Sequence, residues 1–310
     1  MIIKNLLKPQ RLKQGDTIGI ISPAGAVKED NLWQPTIDYF EKMGFSVKIA
    51  AHARDKKAYL AGEDQNRLSD LMNFFEDDEI KAIICSRGGY GTYRILSDIN
   101  YEKIKNNPKI FVGYSDITAL LLAFLEKSNI ITFHGPLALS DFGTNNISKY
   151  TEENFFNILQ GKLNLPYSYS NISDYECIKP GEAEGCLIGG NLAIISGLLG
   201  TPYFPDMTNK ILFLEDIGEP LYKIDRMLMQ LKLAGIFDKI LGLLFCEFSS
   251  IAQSDNPIDI IKEFTKDMNI PVGYGFPAGH GHNKATLPLG IKYYFNSSQF
   301  KLILEEEFLI

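Results

Sequence analysis

Short apolar runs alternate with amphipathic stretches from Asp16 to Phe133. The runs near Thr17–Ser22, Ser46–Ile49, Ala82–Cys85, Ile110–Gly113 and Ile131–Phe133 have the length and bounding turns of strands. Helical spacing fills the gaps: Asp30–Met43 carries Leu32, Trp33, Ile37, Phe40 and Met43, and Asp64–Phe75 carries Leu68, Leu71, Met72 and Phe75. A further helix is predicted over Asp116–Lys127. Strand and helix in alternation predict a parallel sheet covered by helices on both faces. Ligands on such sheets sit at the carboxyl ends of the strands. Pro23-Ala24-Gly25, Ser86–Gly91 and Ser115 all fall there.

Between about Leu137 and Pro180 the periodicity fades into Ser, Asn, Tyr and Asp, which reads as a linker with a short helix near Glu153–Leu159. Strands then follow at Gly185–Ile188, Ile211–Leu214 and Leu241–Glu247, and helices at Asn191–Leu199, Tyr222–Ala234 and Ile258–Met268. Alternating stretches at Ile291–Phe295 and Gln299–Leu304 predict a terminal hairpin turned at Asn296-Ser297-Ser298. The expected division is an N-terminal domain over 1–165, a linker over 166–180 and a smaller mixed α/β domain over 181–310.

Composition narrows the partner. The chain has 310 residues, is 45% hydrophobic and 22% charged, and carries a formal net charge of −7. That balance argues against a nucleic-acid or anionic-membrane surface, which needs clustered Lys and Arg, and leaves a small molecule or peptide. Neither a signal-type apolar segment at Met1–Pro9 nor a run of transmembrane length is visible, so a cytoplasmic protein is expected. Cys85, Cys177, Cys186 and Cys246 form no CxxC pair and read as reduced, mostly buried thiols with no metal role.

The richest segment is Val112-Gly113-Tyr114-Ser115-Asp116-Ile117-Thr118. A strand, a glycine turn and a helix start present the Ser115 hydroxyl outward beside free backbone N–H groups, as an acyl-transfer nucleophile requires. The same residues also suit a plain helix N-cap. A serine nucleophile needs a base and an orienting acid. Of the four histidines, His52 lies in a polar stretch, and His134 ends a strand on the same sheet edge as Ser115. His280 and His282 share the flexible loop Gly279-His280-Gly281-His282-Asn283, which can carry an imidazole into a cleft. Glu215 follows four apolar residues, with Asp216 and Glu219 as neighbouring candidates. His280-x-His282 lacks a third ligand at a diagnostic spacing, so no metal is expected. Gly88-Gly89-Tyr90-Gly91 lacks both the dinucleotide fingerprint and the phosphate-loop lysine, and Pro23-Ala24-Gly25 is not the glycine fingerprint of a nucleotide-binding protein. Backbone donation is the better use: the N–H groups of Gly89 and Asp116 would form an oxyanion hole.

Ser-Arg-Gly-Gly-Tyr-Gly at 86–91, Gly-Tyr-Ser-Asp at 113–116, Leu-Glu-Asp-Ile-Gly-Glu at 214–219, Tyr-Lys-Ile-Asp-Arg-Met-Leu at 222–228 and Gly-His before Leu-Pro-Leu-Gly together resemble the LD-carboxypeptidase family of serine peptidases. The opening Gly15–Gly25 is similar to the family's first strand, and the motifs occur in the family's order along the whole chain. The resemblance implies a flavodoxin-like (class I glutaminase-like) N-terminal domain carrying Ser115, with Glu215 and His280 from the second domain completing a triad. His280 is preferred over His282 because it directly follows Gly279. The implied reaction removes the terminal D-alanine of a murein tetrapeptide in cytoplasmic peptidoglycan recycling, by homodimers without metal or organic cofactor.

Ile117 stands where α/β-hydrolases place the second elbow glycine, which disfavours that fold. Arg87 is the candidate for the substrate's terminal carboxylate, with a structural ion pair as its alternative. Asp225 and Arg226 receive no catalytic role. The rival reading is the family's microcin self-immunity branch, which cleaves an amide joining a peptide or amino acid to a nucleotide. An aromatic side chain placed to stack on a base would favour it, and Trp33, the only tryptophan, falls instead on a predicted helix core. A binding module that lost its chemistry would lack a triad member, and none is missing.

Overall fold

The computed structural model describes residues 6–144, 146–169, 175–249 and 256–310. Strands β1 (Thr17–Ile21), β2 (Ser46–Ile49), β3 (Ile80–Cys85), β4 (Ile110–Gly113) and β5 (Thr132–His134) form a parallel sheet in the order β2-β1-β3-β4-β5. The alternation predicts the parallel sheet, and the order is the flavodoxin-like one that the family resemblance implies. Four of the five strands are almost entirely buried, which is why they read as plain apolar runs, whereas β2 at the edge is half exposed. Helices α1 (Trp33–Lys42), α2 (Asp64–Glu76), α3 (Tyr101–Asn106), α4 (Thr118–Lys127) and α5 (Lys149–Leu159) accompany this half of the chain. Trp33 is buried in the core, as its place in the helix pattern predicts.

The second sheet takes β6 (Tyr167–Ser168), β7 (Glu176–Lys179), β8 (Glu182–Asn191), β9 (Lys210–Ile217), β10 (Gly242–Ser249), β11 (Val272–Phe276), β13 (Lys292–Asn296) and β14 (Lys301–Leu304). Its centre, β8-β9-β10-β11, is parallel, and β13, β14, β6 and β7 flank it antiparallel. Helices α6 (Leu192–Leu198), α7 (Leu221–Leu233) and α8 (Pro257–Thr265) belong to this half. The terminal hairpin is the expected one, with Asn296 Oδ1 accepting the Gln299 N–H at 2.8 Å inside the turn.

Two departures from the expected organisation bear on the site. The segment read as a linker, 166–180, contributes β6 and β7, short edge strands too polar to show a pattern, while residues 170–174 lie outside the described residues. The short strand β12 (Leu287–Leu289) leaves the C-terminal half and pairs antiparallel with β5 of the first sheet, Leu287 opposite His134. The chain after the His280 loop is thereby fastened beside the strands that carry the serine.

Helix α4 explains how the two halves meet. Every residue from Thr118 to Leu125 is buried, because α4 packs on β4 and β5 on one side and on β8 and α6 on the other. A helix that is apolar all round belongs inside a structure, and its sequence Thr-Ala-Leu-Leu-Leu-Ala-Phe-Leu has no polar face to give to water. Ser115 stands at its threshold.

Candidate active site

Ser115 follows β4 at the start of a single 3-10 turn, Ser115–Ile117, that runs into α4. Its φ is +62°, a left-handed conformation that costs an L-residue about 1–2 kcal/mol. Strain of this kind persists where surrounding structure enforces it, and here it turns the hydroxyl away from the sheet. The enforcing neighbour is Gly88: a Cβ there would stand 2.8 Å from both Cβ and Oγ of Ser115 and 3.6 Å from the Asp116 nitrogen. Only a glycine lets the β3 loop come this close. Gly113 is needed for the same reason, since a Cβ would stand 2.7 Å from the Ile117 side chain.

Asp116 is held inward. Its Oδ2 accepts the Thr92 N–H at 2.9 Å and its carbonyl accepts the Thr92 hydroxyl at 2.8 Å. Burial pushes its carboxyl up to about 6. Its backbone N–H belongs to the first turn, where no acceptor exists within the helix. Gly89, at φ +111°, is exposed, and its Cβ position faces Gly25 and, at 3.5 Å, Nη2 of Arg87. Arg87 donates through Nη1 to the Ala26 carbonyl at 2.5 Å and has no carboxylate partner among the described residues.

Glu215 lies on β9, two residues before the strand's end, opposite Asn191 of β8. It is 0% exposed. Its Oε2 stands 2.7 Å from Nδ1 of His280, which identifies the member of the histidine loop that the buried acid holds. His282 is exposed and its ring has no hydrogen-bond partner among the described residues. A neutral His280 that donates from Nδ1 keeps its lone pair on Nε2, the form a general base needs. Tyr114, immediately before Ser115, sets its ring edge-on against His280 at 4.9 Å. The residue beside the serine in the chain thus touches the histidine, and no hydrogen bond joins Ser115 to His280 here. Such bonds commonly tighten only when substrate is engaged.

The loop carrying His280 is braced from below. A Cβ at Gly279 would stand 2.5 Å from Oε2 of Glu215, and one at Gly281 would stand 1.7 Å from Oε2 of Glu247. Both glycines are required by close approach. The Gly281 N–H donates to Glu247, whose pKa is raised mainly by burial. Lys284 spans the loop, donating to the Gly281 carbonyl and pairing with Asp141 at 3.2 Å above the Tyr114 ring. A polar cavity of about 240 Å³ adjoins His280 and is bounded by Asp141, His282 and Lys284.

A buried relay ties the serine's helix to the acid's strand. The Asn191 N–H donates to Thr118 Oγ1 at 3.2 Å, and Asn191 Nδ2 donates to Asp216 Oδ1 at 3.0 Å. Asp216 also accepts the Ala193 N–H at 3.0 Å, and Asn191 caps α6 through Ile194 N at 3.2 Å. Asp216 is pushed up to about 6, first by burial and then by the neighbouring Glu215 charge. It is therefore a scaffold acid, not a rival to Glu215. Glu219 is half-buried and pairs with Lys223 at 3.2 Å. His52 is a surface residue bonded to Asp55 at 3.1 Å, as its polar surroundings predict.

Sequence reasoning read Gly88 only within the glycine run and Asp216 only as an acid beside Glu215; it did not mark Asn191, Glu247 or Lys284. Among the described residues no cluster of potential metal ligands occurs. Cys85 and Cys246 are buried as expected, but Cys186 is half-buried and Cys177 exposed, because β7 is an edge strand.

The fold and site define a peptidase of the α/β class, and comparison with known proteins agrees. Residues 18–135 match the LD-carboxypeptidase N-terminal domain and residues 184–295 the LD-carboxypeptidase C-terminal domain. The chain belongs to the LD-carboxypeptidase family. It is 36% identical to a probable murein peptide carboxypeptidase of Bacillus subtilis, over 96% of this chain and 94% of that protein. The structure of MccF in complex with glutamyl sulfamoyl guanosine superposes with a TM-score of 0.93 at 27% identity, covering 98% of this chain and 100% of that one. The muramoyltetrapeptide carboxypeptidase of Oxalobacter formigenes gives 0.84 at 31% identity, over 95% and 100%.

Proposed function

We propose that this protein is a serine LD-carboxypeptidase that removes the terminal D-alanine from murein tetrapeptides, acting in the cytoplasm during peptidoglycan recycling. The observation that carries the reading is the buried Glu215–His280 hydrogen bond of 2.7 Å beside a serine held at φ +62°. Ser115 attacks the scissile carbonyl while His280 Nε2 takes its proton. Glu215 holds the imidazole in the required tautomer and stabilises the imidazolium. The N–H groups of Gly89 and Asp116 receive the oxyanion, and His280 then protonates the departing amine. Water repeats the cycle on the acyl-enzyme. Arg87, without a carboxylate of its own among the described residues, offers a guanidinium beside Gly89 for the substrate's terminal carboxylate. No cofactor enters any step.

The reading includes a homodimer. Helix α7 buries Ile224, Leu228 and Leu231 and exposes Tyr222, Met229 and Leu233 on the opposite side. An antiparallel two-fold pairing of this face with its copy would set Asp225 against the copy's Lys232 on one flank.

A second substrate, an amide joining an amino acid or peptide to a nucleotide, is favoured by one observation. Tyr59 and Tyr90 are 62% and 45% exposed and meet edge-on at 5.7 Å beside the Gly25 and Gly88 loops, where an aromatic face could take a base. Measuring kcat/KM for a meso-diaminopimelate tetrapeptide and for an aminoacyl sulfamoyl adenosine on one preparation separates the two. The murein reading expects the tetrapeptide to lead by at least about tenfold. A lead for the nucleoside would replace it.

A further inference from the structure

Two fully buried polar groups on the same side of β9 lack partners. His134 is 1% exposed, and neither of its ring nitrogens is hydrogen-bonded to a described residue. Glu215 is 0% exposed; its Oε2 serves His280 and its Oε1 has no partner among the described residues. Phe213 and Glu215 are two residues apart on a strand and so project to one face. The His134 ring meets Phe213 edge-on at 5.1 Å, which places it over that face. Tyr114 lies against both histidines, 6.0 Å from His134 and 4.9 Å from His280.

Sheet register fixes this position from both sides. His134 pairs with Gly113 at the end of the serine's strand and with Leu287 of β12. Burial pushes its pKa down to about 4, against the pull of the Glu215 charge. A neutral ring carries one donor and one acceptor nitrogen. Buried polar atoms are nearly always hydrogen-bonded, by an internal water where protein groups do not reach one another.

We propose that His134 is a positioning residue for Glu215, its neutral imidazole coupled to Oε1 through one buried water. The bond fixes the rotation of the carboxylate and so aims Oε2 at His280, a supporting contact of the kind a preorganised site needs. The other ionisable groups facing this cluster are Tyr114 with Asp141 against it, Asp216 and Cys246 near Glu215 and, through the Gly281 loop, Glu247 and Lys284. The inference rests on the proposed triad.

The test uses His134→Phe, which keeps a ring between Tyr114 and Phe213, and His134→Gln, which restores a neutral donor and acceptor. The first readout is the rate of Ser115 labelling by a fluorophosphonate probe. His134→Phe is expected to label at least about tenfold more slowly, the effect of losing one buried hydrogen bond. His134→Gln is expected to stay within about threefold of the wild type. Labelling of His134→Phe at the wild-type rate, or equal slowing of both variants, would overturn the proposal. The second readout is a thermal-unfolding cycle of His134→Phe, Glu215→Gln and the double variant, which needs no activity. The Tm losses are expected to be clearly less than additive, and strict additivity would overturn the coupling. A wild type that the probe does not label would refute the triad, and the unfolding cycle would then decide the coupling by itself.

Discussion

Replacing Gly88 with alanine tests the geometry of the nucleophile most sharply. The added Cβ would stand 2.8 Å from Cβ and Oγ of Ser115, where ordinary contact begins at 3.4 Å, so one partner must yield by about 0.6 Å. Gly88 does not occupy the left-handed region, so alanine brings no backbone strain of its own. The displacement falls on the serine and on the neighbouring Asp116 N–H. A misplacement of about 1 Å costs on the order of 100-fold in rate, and an oxyanion donor lost with it a similar factor. Gly88→Ala is therefore expected to lower kcat by about 100-fold with KM changed less than threefold. Its thermal midpoint is expected to stay within about 2 °C of the wild type, as for a change of under 1 kcal/mol. Alanine release from the tetrapeptide, followed by mass spectrometry, gives kcat, and calorimetry gives the midpoint. A variant within threefold of wild-type kcat would show that the Gly88–Ser115 approach does not set the reaction geometry.

Four further outcomes are expected. His280→Ala should lower kcat by about 1,000-fold or more while His282→Ala stays within about twofold, and equal losses in alanine-release assays would contradict the assignment of the base. Ser115→Gly should be more stable than Ser115→Ala by about 0.5–1 kcal/mol, the relief of about 1–2 kcal/mol of left-handed strain less the entropy glycine adds to the unfolded chain. Urea unfolding showing the reverse order would remove the strain argument. Asp116 titrates near 6 in the folded chain against 3.8 when free, so its contribution is full below about pH 4 and lost as pH rises through 6. Asp116→Asn should accordingly gain up to about 3 kcal/mol over the wild type near pH 7.5 and nothing near pH 4, and a pH-independent difference would refute it. Leu233→Glu with Met229→Glu should yield a monomer by sedimentation at micromolar concentration, and a persisting dimer would move the interface elsewhere.

The first sheet was legible because burial on both faces writes short apolar runs directly into the sequence, as in Ala82–Cys85 and Ile110–Gly113. Ser115 stood out because the same stretch carries a strand end, a turn and a helix start. The second sheet was read at β8, β9, β10 and the terminal hairpin; β11 was given no bounds, and the edges β6 and β7, short, polar and paired to distant strands, were missed. Nothing local announces that Leu287-Pro288-Leu289 crosses to the first sheet, since its partner β5 lies far back along the chain. Within the site, residue types and motifs pointed to Glu215 and His280, but Gly279 and Gly281 show their purpose only where a carboxylate presses against each. His134 was ambiguous because its surroundings, Phe213 and Glu215 on β9 and Tyr114 after β4, come from two segments distant from it in the chain or the sheet. Close approach and burial are tertiary facts, and a single sequence does not encode them locally.

The most direct measurement is mass spectrometry of L-Ala-γ-D-Glu-meso-diaminopimelate-D-Ala incubated with the wild type and with Ser115→Ala. The account predicts loss of one alanine with the wild type alone. Alanine loss with both proteins would contradict Ser115 as the nucleophile, and loss with neither would contradict the tetrapeptide as substrate.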